Sequence, residues 1–172
     1  MGYIVDIETD FDPIPFREAL GDVFIEFMVG ADLDEEQVLI MSVMLIDGGS
    51  RLTSAQDSYD FRFGFRWRCV KHTWKVGAPM FDSDSATAYV NLQDRPLILD
   101  LVLKAANSLI WSVKPRFMTM STYHTGLPPK AMRKYDRVRD LFIEIGYHLI
   151  DAFEDDEGRS HWLFSIERQN PT

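Results

Sequence analysis

Residues 61–68 read Phe-Arg-Phe-Gly-Phe-Arg-Trp-Arg, and this stretch determines the fold class. Aromatic side chains occupy every second position, and Arg62, Arg66 and Arg68 lie between them. In a β-strand this alternation places the aromatic rings on one face and the arginines on the other. The aromatic face needs a core to cover it. A sheet with one apolar face is therefore predicted at the centre of the protein.

Toward the N-terminus, three further elements are predicted. Residues 3–9 alternate apolar and acidic side chains, which is typical of a half-buried strand. Between residues 15 and 29, apolar residues recur at helical spacing and predict a helix, although every second residue from Val23 to Val29 also fits a strand. Residues 38–46 form an apolar run whose length and β-branched content favour a buried strand, with a helix as the alternative.

Toward the C-terminus, the pattern alternates between strands and helices. We predict short strands near residues 74–76 and 87–92, a helix over 95–113 capped by Asp94, a strand over 117–123, a helix over 129–145 ended by Gly146, and a hairpin of 147–154 with 159–167. Trp111 belongs to the apolar surface of the helix predicted over 95–113, which we expect to be mostly buried. The chain is thus expected to be one α+β domain, 1–172, with a mixed, mainly antiparallel sheet and helices packed on it.

Composition excludes several classes of protein. The chain has 172 residues and 46% hydrophobic residues, which is enough for a core and argues against disorder. Its single cysteine, Cys69, rules out an internal disulfide. The N-terminus has no signal-peptide pattern, and the longest uncharged run is too short to cross a bilayer. We expect a soluble cytoplasmic protein without membrane contact. The four histidines show no metal-ligand spacing, so no metal site is expected.

Charge is sorted along the chain. Residues 1–60 carry a net charge of −12, residues 61–139 carry +9, and residues 140–172 carry −6, giving −9 in total. Two explanations are open: acidic and basic surfaces could neutralise each other in the fold, or one of them could be a binding surface. The overall negative charge argues against direct, unspecific binding of nucleic acid. Pairs with carboxylates on neighbouring strands are the simpler explanation of the arginines at 62, 66 and 68.

Two charged groups are candidates for binding sites. The acidic segment predicts a turn that would contact a protein partner through its carboxylates, Asp32, Asp34, Glu35 and Glu36. The second group is basic and lies in the first turns of the last helix, where cations oppose the helix dipole. An anion there would offset this cost, so we assign a candidate anion site to Lys130, Arg133, Lys134 and Arg137. Internal or solvated pairing of these cations is the alternative.

The last third of the chain resembles the GNAT family of N-acyltransferases, which use acetyl-CoA. In that family, the last helix often carries an Ala with a Tyr four residues on, and a Gly-aromatic pair opens the next strand. Ala131 and Tyr135 have this spacing here, and Gly146 and Tyr147 form the pair. The order of elements, with a hairpin after the last helix, is also similar. The resemblance implies that Tyr135 acts as a general acid toward the CoA thiolate.

The sequence departs from this family where the family binds the CoA pyrophosphate. The family uses a glycine-rich turn there, whereas residues 91–96 contain no glycine, place Asp94 at the helix start and lose one N–H donor at Pro96. Other candidate catalytic residues precede the last helix. His124, in a loop, is the best single candidate for a general base, and Tyr123 precedes it.

Three functions are therefore open. The leading hypothesis is an acidic, non-catalytic domain that binds or inhibits a protein partner, for instance a nucleic-acid-handling protein, without a cofactor. The first alternative is a GNAT-type N-acyltransferase that uses acetyl-CoA. The second alternative is a structural subunit of a larger assembly. The sequence does not indicate the oligomeric state.

Overall fold

The computed structural model describes residues 3–18, 21–48, 57–71, 77, 80–81, 88–123 and 126–166. The predicted strand near 74–76 lies outside these residues. The fold is α+β: an eight-stranded mixed sheet with two long helices. The strands are β1 (Tyr3–Val5), β2 (Phe16–Arg17), β3 (Val23–Asp32), β4 (Gln37–Asp47), β5 (Ser58–Cys69), β6 (Phe117–Ser121), β7 (His148–Glu154) and β8 (Ser160–Ser165). The helices are α1 (Arg95–Val113) and α2 (Pro129–Glu144).

The sheet order is β1-β3-β4-β5-β6-β8-β7, and β2 pairs with the free part of β3. Neighbouring strands are antiparallel except β5 and β6, which are parallel because α1 crosses over between them. The hairpin β7–β8 follows α2, and β8 inserts between β6 and β7. The predicted α+β class and the mainly antiparallel sheet are confirmed. Residues 37–47 form a strand, which settles the alternative left open for this segment.

The prediction of a helix over 15–29 is wrong, since this segment contains β2 and β3. In β3, buried and half-buried side chains alternate from Val23 to Met28, so the period of two determines the structure. The strand pairs with β4 along its length and with β1 and β2 on its other edge. These ladders satisfy backbone groups that a helix would have satisfied internally, and they bury the same side chains in the sheet.

The residues before β3 continue its pairing and then contact α1. The N–H groups of Asp6 and Glu8 donate to carbonyls of β3, so only 3–5 of the predicted strand 3–9 is regular. Further along, the Lys104 ammonium donates to the Phe11 carbonyl at 2.9 Å, and the Ser108 hydroxyl donates to the Pro13 carbonyl at 2.7 Å. The irregular segment between β1 and β2 is thus tied to both β3 and α1.

Helix α1 packs against β3 and β4 with an apolar surface. Its buried residues are Ile98, Leu101, Val102, Ala105, Ala106, Leu109 and Ile110. By length and composition alone α1 could cross a membrane, with a mean hydropathy of 1.4, but a buried core helix has the same composition. Trp111 contradicts our expectation of burial, since it is 61% exposed. It lies one position beyond Ile110 and therefore points away from the sheet.

Two smaller predictions near α1 are also wrong. The predicted strand 87–92 is not formed, because Ala88 and Tyr89 are helical and residues 92–94 form a turn. Asp94 occupies the N-cap position but makes no side-chain cap hydrogen bond. Its φ of −89° and ψ of −17° are helical rather than extended, and its carboxylate accepts from the Asn91 side chain at 3.3 Å instead.

Helix α2 packs on β5 and β8 through aromatic contacts. Phe142 meets the rings of Phe61 and Phe164 edge-on, each at 5.1 Å between centroids. Tyr135 stacks on Trp162 at 5.7 Å. Gly146, with φ of +101°, ends the helix as predicted, since glycine adopts this left-handed conformation without strain. We call this side of the sheet the helix face.

The opposite side of the sheet, which we call the polar face, carries the even-numbered residues of β5. On it, the Glu26 carboxylate contacts the guanidinium groups of Arg66 and Arg68 across β4. Ser42 lies between them and donates to Glu26 at 3.1 Å. Pairing with a carboxylate two strands away therefore accounts for Arg66 and Arg68, while Arg62 pairs with Asp60 of its own strand. The expected pairing with carboxylates is found, but not on directly neighbouring strands.

Replacing Phe142 with alanine tests the packing of α2. Phe142 is fully buried between two aromatic rings, so the cavity left behind should lower the free energy of unfolding by about 3–5 kcal/mol. The neighbouring Ile143 is 47% exposed, and Ile143→Ala should change the same quantity by less than about 1 kcal/mol. Urea unfolding measures both. Equal losses would show that α2 is not packed through Phe142.

Candidate functional site

The candidate site lies where β5 and β6 part. The parallel register runs from Ser58↔Phe117 to Phe61↔Met120 and then stops, although β5 continues to Cys69. In a parallel ladder of this register, the next bond would run from the N–H of Phe63 to the carbonyl of Ser121. Since that rung is not formed, the backbone N–H and C=O of Phe63 face the opening between the strands. Among the described residues, β6 offers neither group a ladder partner, and backbone groups without a partner inside a fold are potential ligand contacts.

A small cavity occupies this opening. Its lining residues are Phe61, Arg62, Phe63, Met120, Ser121, Tyr123 and Tyr135. The volume is about 10 Å³, which is room for about one water molecule. The central strands therefore diverge beside Tyr123 and Tyr135, but the opening is far smaller than a cofactor in this conformation.

A buried carboxylate lies at the polar edge of the opening. Asp60 is 5% exposed and accepts from the Thr119 hydroxyl at 2.9 Å and from the Arg62 Nε at 2.7 Å. The same carboxylate lies close enough to the Tyr123 hydroxyl to raise the pKa of that group. The Arg62 guanidinium lies 5.2 Å from the centre of the Tyr123 ring. These contacts compensate for the loss of hydration that a buried charge suffers. The result is a fixed cation beside the cavity.

Both tyrosines at the cavity are held neutral. Burial raises the pKa of Tyr135 to about 12, and a hydrogen bond from the Tyr123 backbone opposes this only partly. Burial also raises the pKa of Tyr123 well above its ordinary value, and the nearby Asp60 carboxylate adds to this effect. At neutral pH each hydroxyl keeps its proton. Tyr135 can therefore serve as a proton donor in the cavity and not as a base.

Met80 and Phe81 close the far side of the opening. Phe65 and Met80 exchange two backbone hydrogen bonds of 3.0 and 2.6 Å on the edge of β5 that β6 has left. Phe81 stacks on Tyr123 with 4.7 Å between ring centroids. Gly64 allows this approach, because a Cβ there would lie 2.6 Å from the Phe81 ring and 2.7 Å from the Met80 carbonyl. The segment thus occupies the edge that a bound ligand would need.

The structure brings together two of the three residues predicted to be catalytic. Tyr123 and Tyr135 line the same cavity, whereas His124 lies outside the described residues. No sequence pattern indicated Asp60, Arg62 or Ser121 as site residues, because only the β5–β6 register places them beside the tyrosines. The aromatic alternation of β5 did indicate that Arg62 lies on the opposite face from Phe63.

The four cations of the predicted anion site on α2 lie in different environments. Lys134 is half-buried and lies 5.8 Å from the centre of the Phe63 ring, so it is beside the opening. Arg137 pairs with Asp100 of α1 at 2.8 Å, while Lys130 and Arg133 are exposed. No described side chain caps the N-terminus of α2. Of the four cations, Lys134 is the one placed to contact an anion at the cavity.

The acidic turn is exposed at the end of the β3–β4 hairpin. The Asp32 carboxylate accepts from the backbone N–H of Asp34 at 3.1 Å and of Glu35 at 3.2 Å. Glu36 pairs with Lys71. Together with the Glu26 pairs, this contact neutralises part of the N-terminal charge internally. Binding of a protein partner by the four turn residues stays a prediction.

Metal ligands are not gathered anywhere in the part of the chain that the structure describes. No group of three or more His, Cys, Asp or Glu side chains there could hold a metal ion.

Comparison with known proteins gives a fold-level likeness only. No family model matches the chain, and no curated protein matches it. Among solved structures, a point mutant of the spermidine N-acetyltransferase SpeG from Vibrio cholerae is similar, with 11% identity and a TM-score of 0.32. The match covers 78% of this chain and 67% of that one.

The buried ion pairs of the polar face give a first prediction for this region. Glu26→Gln leaves Arg66 and Arg68 without a carboxylate while Arg66 is 15% exposed, so the free energy of unfolding should fall by roughly 2–4 kcal/mol. Glu36→Gln removes an exposed pair with Lys71 and should cost at most about 1 kcal/mol. Denaturant unfolding at neutral pH compares the two. A larger loss for Glu36→Gln would contradict the assignment.

The raised pKa of Tyr135 gives a second prediction. The folded value of about 12 lies above the ordinary value of 10, so burial of the neutral hydroxyl stabilises the fold below pH 10. This contribution is lost as the pH rises from 10 through 12, at about 1.4 kcal/mol for each unit of pKa difference. Tyr135→Phe should therefore show a smaller fall in unfolding free energy between pH 10 and 12. An equal fall in unfolding free energy in the natural protein and in Tyr135→Phe would refute this prediction.

Proposed function

We propose that this chain binds a ligand of the acyl-thioester class in the opening between β5 and β6, and that the site serves acyl transfer. The observation that carries the proposal is the missing rung of the β5–β6 ladder beside a cavity lined by Tyr123 and Tyr135. An extended ligand with amide groups, such as the pantetheine arm of acetyl-CoA, can complete that rung through the backbone of Phe63.

The side chains around the opening suit a thioester substrate. The Tyr135 hydroxyl stays protonated far above neutral pH and can donate its proton to a departing thiolate. The family resemblance in sequence assigns this residue the same role. Arg62 and Lys134 provide positive charge near the cavity, which favours an anionic ligand or an oxyanion that forms during the reaction.

Ligand entry requires a change at Met80 and Phe81. A cavity of about 10 Å³ has no room for an acyl group and its thioester arm. Among the described contacts, Phe81 stacks on Tyr123, and Met80 bridges Phe65 and packs against the core. Displacement of the two residues exposes the edge of β5 without breaking the ladders between the named strands. We expect the energy of this displacement to weaken binding.

The phosphate end of the cofactor is not part of the proposal. Asp94 at the start of α1 repels anions, and its carboxylate is held there by Asn91. Acetyl-CoA and its phosphate-free analogue acetyl-pantetheine should therefore bind with similar, millimolar affinity. That similarity distinguishes this site from one built around pyrophosphate.

Pairing within the chain weighs against the hypothesis of an acidic inhibitor. Two of the N-terminal carboxylates, Glu26 and Glu36, are already paired within the chain. Binding of a protein partner and a role as a structural subunit stay predictions, as do the cytoplasmic location and the absence of membrane and nucleic-acid contacts.

Titration of the labelled protein with acetyl-CoA and with acetyl-pantetheine, followed by NMR, tests the proposal. We expect shifts at Phe63, Tyr123 and Tyr135 for both ligands. Phe81→Ala should tighten binding by about tenfold, because it removes the ring that closes the opening. Phe16→Ala removes an aromatic ring on β2 that is 60% exposed and should leave the affinity unchanged. If neither the natural chain nor Phe81→Ala responds to millimolar ligand, the proposal is wrong.

A further inference from the structure

A hydrogen-bonded row of serine, histidine and aspartate borders the same opening. The Ser121 hydroxyl lies 2.8 Å from Nδ1 of His161, and Nε2 of His161 lies 2.9 Å from a carboxylate oxygen of Asp155. Ser121 ends β6, His161 is its register partner on β8, and Asp155 opens the β7–β8 turn. Asp155 and His161 lie six residues apart on one hairpin, whereas Ser121 is 40 residues from His161 and reaches it through the β6–β8 register.

Each member of the row is fixed by its surroundings. Asp155 accepts from the backbone N–H of Glu157 at 3.0 Å and of Arg159 at 2.9 Å, and from the Arg159 side chain. The hydrogen bond with His161, followed by those from Arg159, holds the pKa of the Asp155 carboxyl well below its ordinary range. The ring of Phe153 stacks on His161 with 5.0 Å between centroids. Hydrogen bonds at both nitrogen atoms and ring stacking on one face therefore hold the imidazole in place.

The geometry sets the tautomer of His161. An ionised carboxylate can only accept, so Nε2 carries the proton that is donated to Asp155. Nδ1 then has a free lone pair, directed at the Ser121 hydroxyl. In this arrangement the imidazole accepts the serine proton, and the carboxylate stabilises the imidazolium that forms.

We propose that Ser121 is a nucleophile, with His161 as its general base and Asp155 as the residue that positions and stabilises the imidazole. Ser121 lines the cavity between β5 and β6 together with Arg62 and Phe63. The Arg62 guanidinium and the Phe63 N–H are the nearest donors of this lining for an oxygen that becomes negatively charged in the reaction. The substrate class is an activated ester or thioester. This assignment shares the opening with the proposed ligand site but does not depend on acetyl-CoA as the ligand.

The reaction balances with water as the second reactant. The Ser121 Oγ bonds to the carbonyl carbon while its proton passes to Nδ1 of His161. The alcohol or thiol leaves with that proton, and Ser121 carries the acyl group as an ester. Water then gives a proton to His161, its oxygen bonds to the carbonyl carbon, and Ser121 departs and recovers the proton. The products are a carboxylic acid and an alcohol or thiol.

A fluorophosphonate probe tests the proposal, because it bonds to an activated serine with loss of fluoride and requires no knowledge of the substrate. Peptide mass spectrometry should locate the adduct on Ser121. His161→Gln keeps a polar side chain beside Ser121 but cannot act as a base, and it should slow labelling roughly 100-fold. Asp155→Asn retains the turn acceptor and disturbs the tautomer, so it should also slow labelling.

Ser165→Ala, on the same strand as His161, is the matched control and should label at the natural rate. Phe81→Ala keeps the test decisive if the closed opening blocks the probe. An adduct on Ser121 that depends on His161 supports the proposal. Absence of that adduct from both the natural chain and Phe81→Ala overturns it, as does equal labelling of His161→Gln. Since phosphonylation needs no acetyl-CoA, a failure here is distinct from a failure of ligand binding.

Discussion

The hydrogen bonding of one strand edge governs this molecule. β5 has 12 residues and β6 has 5, so β6 can satisfy only part of the edge that β5 presents. Buried backbone groups must find partners, and Met80 takes the position at Phe65 that β6 leaves free. The backbone groups of Phe63 lie between Phe61, which pairs with β6, and Phe65, which pairs with Met80. The opening and the side chains that converge on it follow from that mismatch in strand length.

The polar face shows how charge can be accommodated within a sheet. Asp60 and Glu26 are both nearly buried, and each is contacted by an arginine of β5. Burying such a pair costs hydration free energy, and the hydrogen bonds between the partners offset that cost. The pairs therefore specify the arrangement of strands more than they stabilise it. At Asp60 the contacts also fix Arg62 and Tyr123 at the cavity. The same carboxylate therefore serves both the fold and the site.

β6 links the proposed ligand site to the proposed nucleophile. Near the end of β6, the Thr119 hydroxyl donates to Asp60 of β5, and the Ser121 hydroxyl hydrogen-bonds to His161 of β8. Both side chains lie on the polar face, while Met120 between them is buried on the helix face. A strand that pairs in parallel with β5 and antiparallel with β8 thus brings donors from two different ladders to one opening.

The sequence by itself determined the α+β class, the strands β4 and β5, both helices and the closing hairpin. These elements have strong periodicity or clear end signals, such as the aromatic alternation of 61–68 and the glycine at 146. It failed over 15–29, where helical and strand periods overlapped and only the ladders with β1, β2 and β4 settled the outcome. Tertiary structure alone decided the site. Asp60 and Thr119, or Ser121 and His161, become neighbours through register between distant strands, and local periodicity carries no information about such pairs.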